Sequence, residues 1–216
     1  MNYNQQGVTL IEIAIVLVIM GLIVGTGLLS GQSLVQGGHA KEVIETASDL
    51  IGAVQKFKER YHYFPGDLPD AGDDISNIPV ECDYSRLEDP NAGNGVIEAA
   101  TISSKKSELF CAAIHLYQAG FLKSNPNNEI GGYIRTRFGQ IHLISRSDVA
   151  DQTKIPTTVR NVLEFEGLPF EIAVELDIAL DDGNISTGKM LADDTTRTSL
   201  ADGDVVQIVN YFIVPL

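Results

Sequence analysis

The sequence predicts an α+β protein in which a long N-terminal helix precedes a head built on a small antiparallel β-sheet. Three observations support this class. Residues 8–29 form an apolar run, helical three- and four-residue spacing continues to residue 61, and the remaining chain alternates Gly- and Pro-rich loops with short helical and β-rich runs. With 216 residues, of which 44% are hydrophobic, the chain is large enough to form a core.

The first element is the apolar run, VTLIEIAIVLVIMGLIVGTGLL. As a helix its 22 residues would be roughly 33 Å long, which is enough to cross a bilayer. The preceding MNYNQQG has no Lys or Arg, so an ordinary secretory signal fits poorly. Glu12 is the one acid inside the run, and an unpaired carboxylate at bilayer depth costs roughly 2.5–3.5 kcal/mol. We therefore expect a partner for Glu12.

The same helix is predicted to continue as an amphipathic half. Apolar side chains recur there at helical spacing between charged ones: Val43, Ile44, Ala47, Leu50, Ile51, Val54, Phe57 and Tyr61. No proline precedes Pro65, so one helix of roughly 80 Å can run from about Val8 to Tyr61. Its second half is expected to pack against the head.

Two further helices are predicted in the head. The first has Ser103 or Ser104 as its N-cap and Gly120 near its C-cap, and the second spans residues 169–182. Acidic, turn-rich loops precede the first of them, including FPGDLPDAGDD at residues 64–74.

Three β-rich runs complete the head. They span residues 140–144, 159–165 and 205–214, and each reads as a strand. Because helices and strands are segregated along the chain, we expect these strands to pair antiparallel.

The charge balance disfavours nucleic acid as a partner. Fifteen Lys and Arg stand against 29 Asp and Glu, giving a net charge of −14, the wrong sign for a surface that neutralises phosphates. Residues 123–163 are the most basic stretch, with six Lys and Arg against three acids. They form either a basic patch or an ordinary solvated surface.

The N-terminus resembles that of type IV prepilins and pseudopilins. The residues that carry the resemblance are G-V-T-L-I-E at 7–12 and the apolar run after them. The resemblance implies that a prepilin peptidase cuts after Gly7 and methylates the new N-terminal amine at Val8, which makes Glu12 the fifth mature residue. Four strings in the head resemble a large group of pilin-like proteins: Y-F-P-G-D-L-P-D-A at 63–71, G-N-G at 93–95, H-L-x-x-A-G-F-L at 115–122 and D-x-x-L-D-D-G-N-x-x-T-G at 177–188.

The resemblance implies a domain organisation and a location. Residues 1–7 would be a leader peptide, 8–30 the transmembrane and assembly half of the helix, 31–63 its amphipathic half and 64–216 a periplasmic or extracellular head. The protein would sit in the bacterial inner membrane as a single-pass protein and then enter a filament or reach the cell surface.

Glu12 has two interpretations. Its carboxylate could pair with the amine of Val8 on a neighbouring subunit and fix the register of assembly. Alternatively, it could extend to the lipid headgroups from near the helix end.

The two cysteines also leave two readings open. In a head that faces the periplasm, Cys82 and Cys111 would form a disulfide. They could also be two independent thiols.

One metal site is conceivable. Asp177, Asp181, Asp182 and Asn184 concentrate the oxygen ligands that calcium prefers, but they do not complete an EF-hand. The same string fits a helix C-terminus with a Gly cap and an exposed turn. No other cofactor is expected.

No catalytic motif is present in the sequence. It lacks a phosphate-binding Gly loop with Lys, an HExxH string, paired-Cys zinc spacing and a GxSxG elbow. We therefore expect no enzyme but a structural subunit of a type IV pilus or type II secretion pseudopilus. Its partners would be the prepilin peptidase, other pilin or pseudopilin subunits and an inner-membrane assembly platform. The alternatives are a single-pass anchored binding protein, or a minor pilin for adhesion or DNA uptake.

Overall fold

A computed structural model gives the fold. It describes residues 9–86, 88–100, 105–123, 125–126, 132–149, 152–153, 155–192, 195–199 and 205–216. For residues 25–36, 195–199 and 205–211 only the backbone is described. The chain divides into two compact units, one that ends at Glu42 and one that spans Val43–Leu216.

Helix α1 spans Leu10–Tyr61, as the apolar and amphipathic spacing predicted. It ends at the predicted residue, where His62 adopts a left-handed φ of 65° shortly before Pro65. From Leu10 to Val24 its large apolar side chains are 46–89% exposed. In the portion of the chain that the structure describes, no helix has a stretch long and apolar enough to cross a membrane.

The part of α1 in the second unit has one buried face. Five of the predicted residues and Ala53 are each at most 4% exposed, whereas Ile44, Ile51 and Tyr61 are only partly buried: Val43, Ala47, Leu50, Ala53, Val54 and Phe57 form the buried face. The Phe57 ring lies 6.2 Å from the rings of both His115 and Phe121. The expectation that this half of the helix is amphipathic and packs into the head is confirmed.

Six strands form one antiparallel sheet. Its strands are β1 (Ile134–Thr136), β2 (Gly139–Ser145), β3 (Asn161–Pro169), β4 (Leu191–Ala192), β5 (Thr195–Ser199) and β6 (Val205–Pro215). The order is β1-β2-β3-β6, and β4 and β5 both pair with β6; every pairing is antiparallel. The three predicted strands are β2, β3 and β6, and together with the helices they confirm the α+β class.

The remaining helices are α2 (Ala71–Asp74), α3 (Glu108–Gln118) and α4 (Phe170–Leu180), with 3₁₀ turns at Val80–Cys82 and Arg146–Asp148. Helix α3 contacts β2, and α4 contacts β3 and β6. The two predicted head helices are therefore α3 and α4, and both pack against the sheet.

The predicted N-cap of α3 was wrong. Ser107 is the cap, and its hydroxyl accepts a hydrogen bond from the Phe110 N–H at 3.3 Å, whereas residues 103 and 104 lie outside the described residues. The helix begins late because Lys105 and Lys106 are tied to the loop around Cys82. Lys106 N–H donates to the Glu81 carbonyl at 3.0 Å, and Lys105 Nζ donates to the Val80 carbonyl at 2.9 Å. The predicted end is right, since Gly120 follows the C-cap with φ 80°.

Candidate functional site

Two of the head strings meet at Asp67. Its carboxylate is fully buried and accepts hydrogen bonds from the backbone N–H groups of Gly93 (2.6 Å), Asn94 (3.1 Å) and Gly95 (2.9 Å). Gly93 and Gly95 have φ of 82° and 87°, and a Cβ at Gly93 would lie 2.9 Å from the Tyr63 ring. Glycine is therefore required for three consecutive N–H groups to converge on one carboxylate. The F-P-G-D and G-N-G strings form one structural unit.

The G-N-G loop is also fixed to the sheet. At the start of β3, the Asn161 side chain accepts from the Ile97 N–H at 2.8 Å and donates to the Gly95 carbonyl at 3.0 Å. Arg160 donates to the Asn94 carbonyl at 3.2 Å. Asn161 is fully buried, so its amide replaces water for two backbone groups that would otherwise be unsatisfied.

His115 joins two loops from inside the core. Its Nδ1 accepts from the Gly66 N–H at 3.1 Å, and its Nε2 lies 3.0 Å from the Cys82 carbonyl, which assigns the proton to Nε2. Burial lowers the pKa of His115 to about 4, so the ring is neutral at pH 7. The third head string thus supplies a structural histidine.

Buried acids surround this region. Glu108 Oε2 accepts from the Glu98 N–H at 3.0 Å, while Glu108 Oε1 and Glu98 Oε2 are buried without a hydrogen-bond partner. Burial and the neighbouring Glu98 carboxyl raise the pKa of Glu108 to about 10. Burial likewise raises the pKa of Asp67 to about 7, although its three N–H donors oppose the shift. Glu108 is therefore protonated at neutral pH, and Asp67 titrates there.

Cys82 and Cys111 form a disulfide with a Cα–Cα distance of 5.4 Å. It lies in a buried apolar cluster with Tyr84, Ala92 and Ile114. The disulfide reading is confirmed, and the bridge ties the acidic loop to α3.

At the N-terminus, Glu12 interacts with Thr9. The Glu12 carboxylate accepts from the Thr9 N–H at 2.9 Å and from its hydroxyl at 2.8 Å, and the Glu12 N–H lies 3.4 Å from the Thr9 hydroxyl. This is a reciprocal capping box, Thr at the N-cap and Glu three residues later. The T-x-x-E spacing in the sequence could have identified it. Gly7 and Val8 lie outside the described residues.

The turn after α4 brings three of the four calcium candidates together. One carboxylate oxygen each from Asp177, Asp181 and Asp182 lies within 4.8 Å of the others. Asn184 is used differently, because its side-chain oxygen accepts from the Ser186 N–H at 3.1 Å. Gly183 has φ 84°, as expected for the alternative reading of a capped helix end. The capped helix end is present in the structure, and calcium binding stays a prediction.

Two arginines of the basic stretch serve the fold. Arg146 donates to the carbonyls of Ile155 and Gln152, both at 2.9 Å, and Arg160 binds the G-N-G loop as described above. Guanidinium groups committed to carbonyls within the chain have fewer donors left for phosphate.

Comparison with known proteins agrees with the N-terminal motif. Residues 2–28 match the family described as the prokaryotic N-terminal methylation motif. The chain is also similar to the type IV major pilin protein PilE1 of Neisseria gonorrhoeae, with 28% identity over 104 residues. That alignment covers 48% of this chain and 62% of the relative. No solved structure matches the chain.

These findings define a class. The methylation motif includes the start of helix α1, where the apolar side chains are exposed, and the chain continues into an α+β head with an antiparallel sheet. The resemblance to type IV pilins stated from the sequence is confirmed by the motif and by the pilin relative.

Proposed function

We propose that the chain is a non-catalytic, pilin-like structural subunit that is cut by a prepilin peptidase and assembled into a type IV pilus or a type II secretion pseudopilus. The observation that carries the proposal is the methylation motif at residues 2–28 together with the exposed apolar side chains of α1. An apolar surface of this size needs cover from lipid or from other subunits.

Residues 8–30 would supply the membrane anchor before assembly. They would hold the protein in the bacterial inner membrane, with the head in the periplasm, until the assembly platform extracts it. In the filament the same apolar side chains would pack against the helices of neighbouring subunits. Repetition of one head-to-tail contact gives an open helical polymer.

Processing is the first test. Mass spectrometry of the protein purified from membranes that contain a prepilin peptidase should give an N-terminus at Val8 carrying one added methyl group. A Gly7→Val variant should retain residues 1–7. A wild-type chain that keeps its leader in the presence of an active peptidase would refute the proposal.

Filament incorporation is the second test. Sheared filaments should contain the chain, as detected by immunolabelling in the electron microscope. A correctly processed chain that stays in the membrane and is absent from filaments would favour the anchored binding protein instead.

Glu12 allows a sharper test, because the capping box offers it a role within its own chain. If Glu12 pairs with the Val8 amine of a neighbour, Glu12→Gln should abolish incorporation, since glutamine carries no charge. Thr9→Ala should then assemble normally, because it removes the cap and keeps the acid. If capping is the role, Glu12→Gln should assemble, since its side-chain oxygen still accepts from Thr9, and the pairing idea would be wrong.

A further inference from the structure

The F-P-G-D and G-N-G strings line a pocket whose wall is basic. The pocket has a volume of about 380 Å³, within the range of small-molecule sites, and it lies between the end of α1 and the loop at residues 93–95. Lys58, His62 and Arg160 contribute to its wall, and the buried Asp67 lies at its base. Three basic side chains around one pocket are unexpected in a chain with a net charge of −14.

Two of the basic side chains are held in place without a carboxylate. The Lys58 ammonium lies 4.1 Å from the centroid of the Phe64 ring, and Arg160 Nη1 donates to the Asn94 carbonyl at 3.2 Å. A ring and a carbonyl orient these groups but do not neutralise their charge, and this bond uses one of the five guanidinium donors. Among the residues that the structure describes, neither of them, nor His62, forms a salt bridge.

The acids of this region are engaged elsewhere. Asp67 accepts from the three N–H groups of residues 93–95, and Glu98 Oε1 accepts from the Asn94 side-chain amide at 2.7 Å. The pocket therefore presents positive charge that the head does not compensate. An anion that enters the pocket supplies the missing negative charge.

His62 occupies a backbone position that favours glycine. It is the first residue after α1, with φ 65°, where glycine ends a helix with less strain. Its imidazole is exposed and lines the pocket. A side chain kept at a strained position beside a pocket is typical of residues that contact a ligand.

We propose that this pocket binds a small organic carboxylate whose acid group is attached to a six-membered ring. The carboxylate would contact Lys58 and Arg160, since a guanidinium group matches the geometry of a carboxylate. The half-buried rings of Tyr63 and Phe64 also line the pocket and offer an apolar surface to the ring of the ligand. A singly charged carboxylate is favoured over a doubly charged phosphate, because Asp67 would repel a second negative charge.

Sugar acids and aromatic acids share this chemistry, so the test uses one probe of each kind. Saturation-transfer NMR follows the binding of glucuronate and of benzoate to the full chain in detergent at low ionic strength, with detergent alone as the blank. At least one probe should bind with a Kd on the order of 1 mM, as expected for ligands of this size. Its neutral amide, glucuronamide or benzamide, should bind at least about tenfold more weakly. The tighter probe identifies the source of the ligand.

Two variants locate the binding site. Lys58→Gln and Arg160→Gln should each raise the Kd by at least about fivefold, because each removes one charged donor. Lys58 is exposed and serves as the decisive position if Arg160→Gln disturbs the G-N-G loop. Lys56→Gln is the matched control, since it removes the same charge from an exposed residue of the same helix that does not line this pocket, and it should keep the wild-type Kd.

Several results would overturn the proposal. Neither probe gives saturation transfer above the blank, the neutral amides bind as tightly as the acids, or inorganic phosphate binds as tightly as the better probe. The proposal also fails if Lys58→Gln and Arg160→Gln both keep the wild-type Kd. Because every residue involved belongs to one head, none of these results depends on whether the chain assembles into filaments.

Discussion

The Asp67 carboxylate is predicted to be the main contact that holds the acidic loop of the head together. Asp67→Ala removes the acceptor for three backbone N–H groups at residues 93–95, at distances of 2.6, 3.1 and 2.9 Å. Each buried donor left unpaired costs about 1–3 kcal/mol, and water entering the space left by the carboxylate recovers part of that. We expect a net loss of about 3 kcal/mol.

For a chain of 216 residues this loss corresponds to a decrease in Tm of about 6–12 °C. The assay is thermal unfolding followed by tyrosine near-UV circular dichroism, which reports on the head because Tyr63 and Tyr84 lie beside this loop. Asp73→Ala, an exposed acid in α2, is the control and should change the Tm by less than about 2 °C. If Asp67→Ala behaves like this control, the N–H groups of residues 93–95 do not depend on Asp67 and the reasoning fails.

Three further predictions concern the same part of the head. The folded-state pKa values of Asp67 (about 7) and Glu108 (about 10) lie above the ordinary values of these acids. The stability that the two groups confer is therefore complete below about pH 4 and is lost as the pH rises through the folded-state values. Asp67→Asn should reduce this loss when the free energy of unfolding is measured by urea titration from about pH 4 to 9. Replacing both Cys82 and Cys111 by Ser opens a loop with a sequence separation of 29 and should cost about 3.5 kcal/mol, and an unchanged urea midpoint would contradict this. His115→Leu should cost about 2–4 kcal/mol because two buried backbone groups lose their partner, whereas a loss below 1 kcal/mol would show that they find other partners.

Elements with a regular period were predictable from the sequence. The spacing from Val43 to Phe57 identified the buried face of α1, and the β-rich runs located β2, β3 and β6. These predictions succeed because burial of one face imposes a period on the residues of that face. Strands β1, β4 and β5 were not predicted. They are short edge segments of two to five residues, and pairing with a longer neighbour defines them more than their own composition does.

The contacts between distant parts of the chain could not be predicted in the same way. Asp67 meets residues 26–28 positions away, and Asn161 meets Gly95 at a separation of 66. A contact between residues so far apart in the sequence leaves no periodic pattern. The two glycines on either side of Asn94 indicate only that this loop needs a backbone conformation that other residues rarely adopt. The N-cap of α3 failed for the same reason, since its position depends on hydrogen bonds from Lys105 and Lys106 to a loop more than 20 residues earlier.

The three acids at the end of α4 show why the sequence could not distinguish a metal site from a solvated helix end. The spacing of Asp177 and Asp181 places them one helical turn apart, and a solvated acidic helix end has the same spacing. The structure separates the two cases, because Asp177 is enclosed while Asp182 is exposed. An exposed carboxylate is satisfied by water and needs no ligand. An enclosed one is less stable in its charged form, and burial together with the neighbouring carboxylates accordingly raises the pKa of Asp177, against the opposing effect of the Gly183 and Asn184 N–H groups.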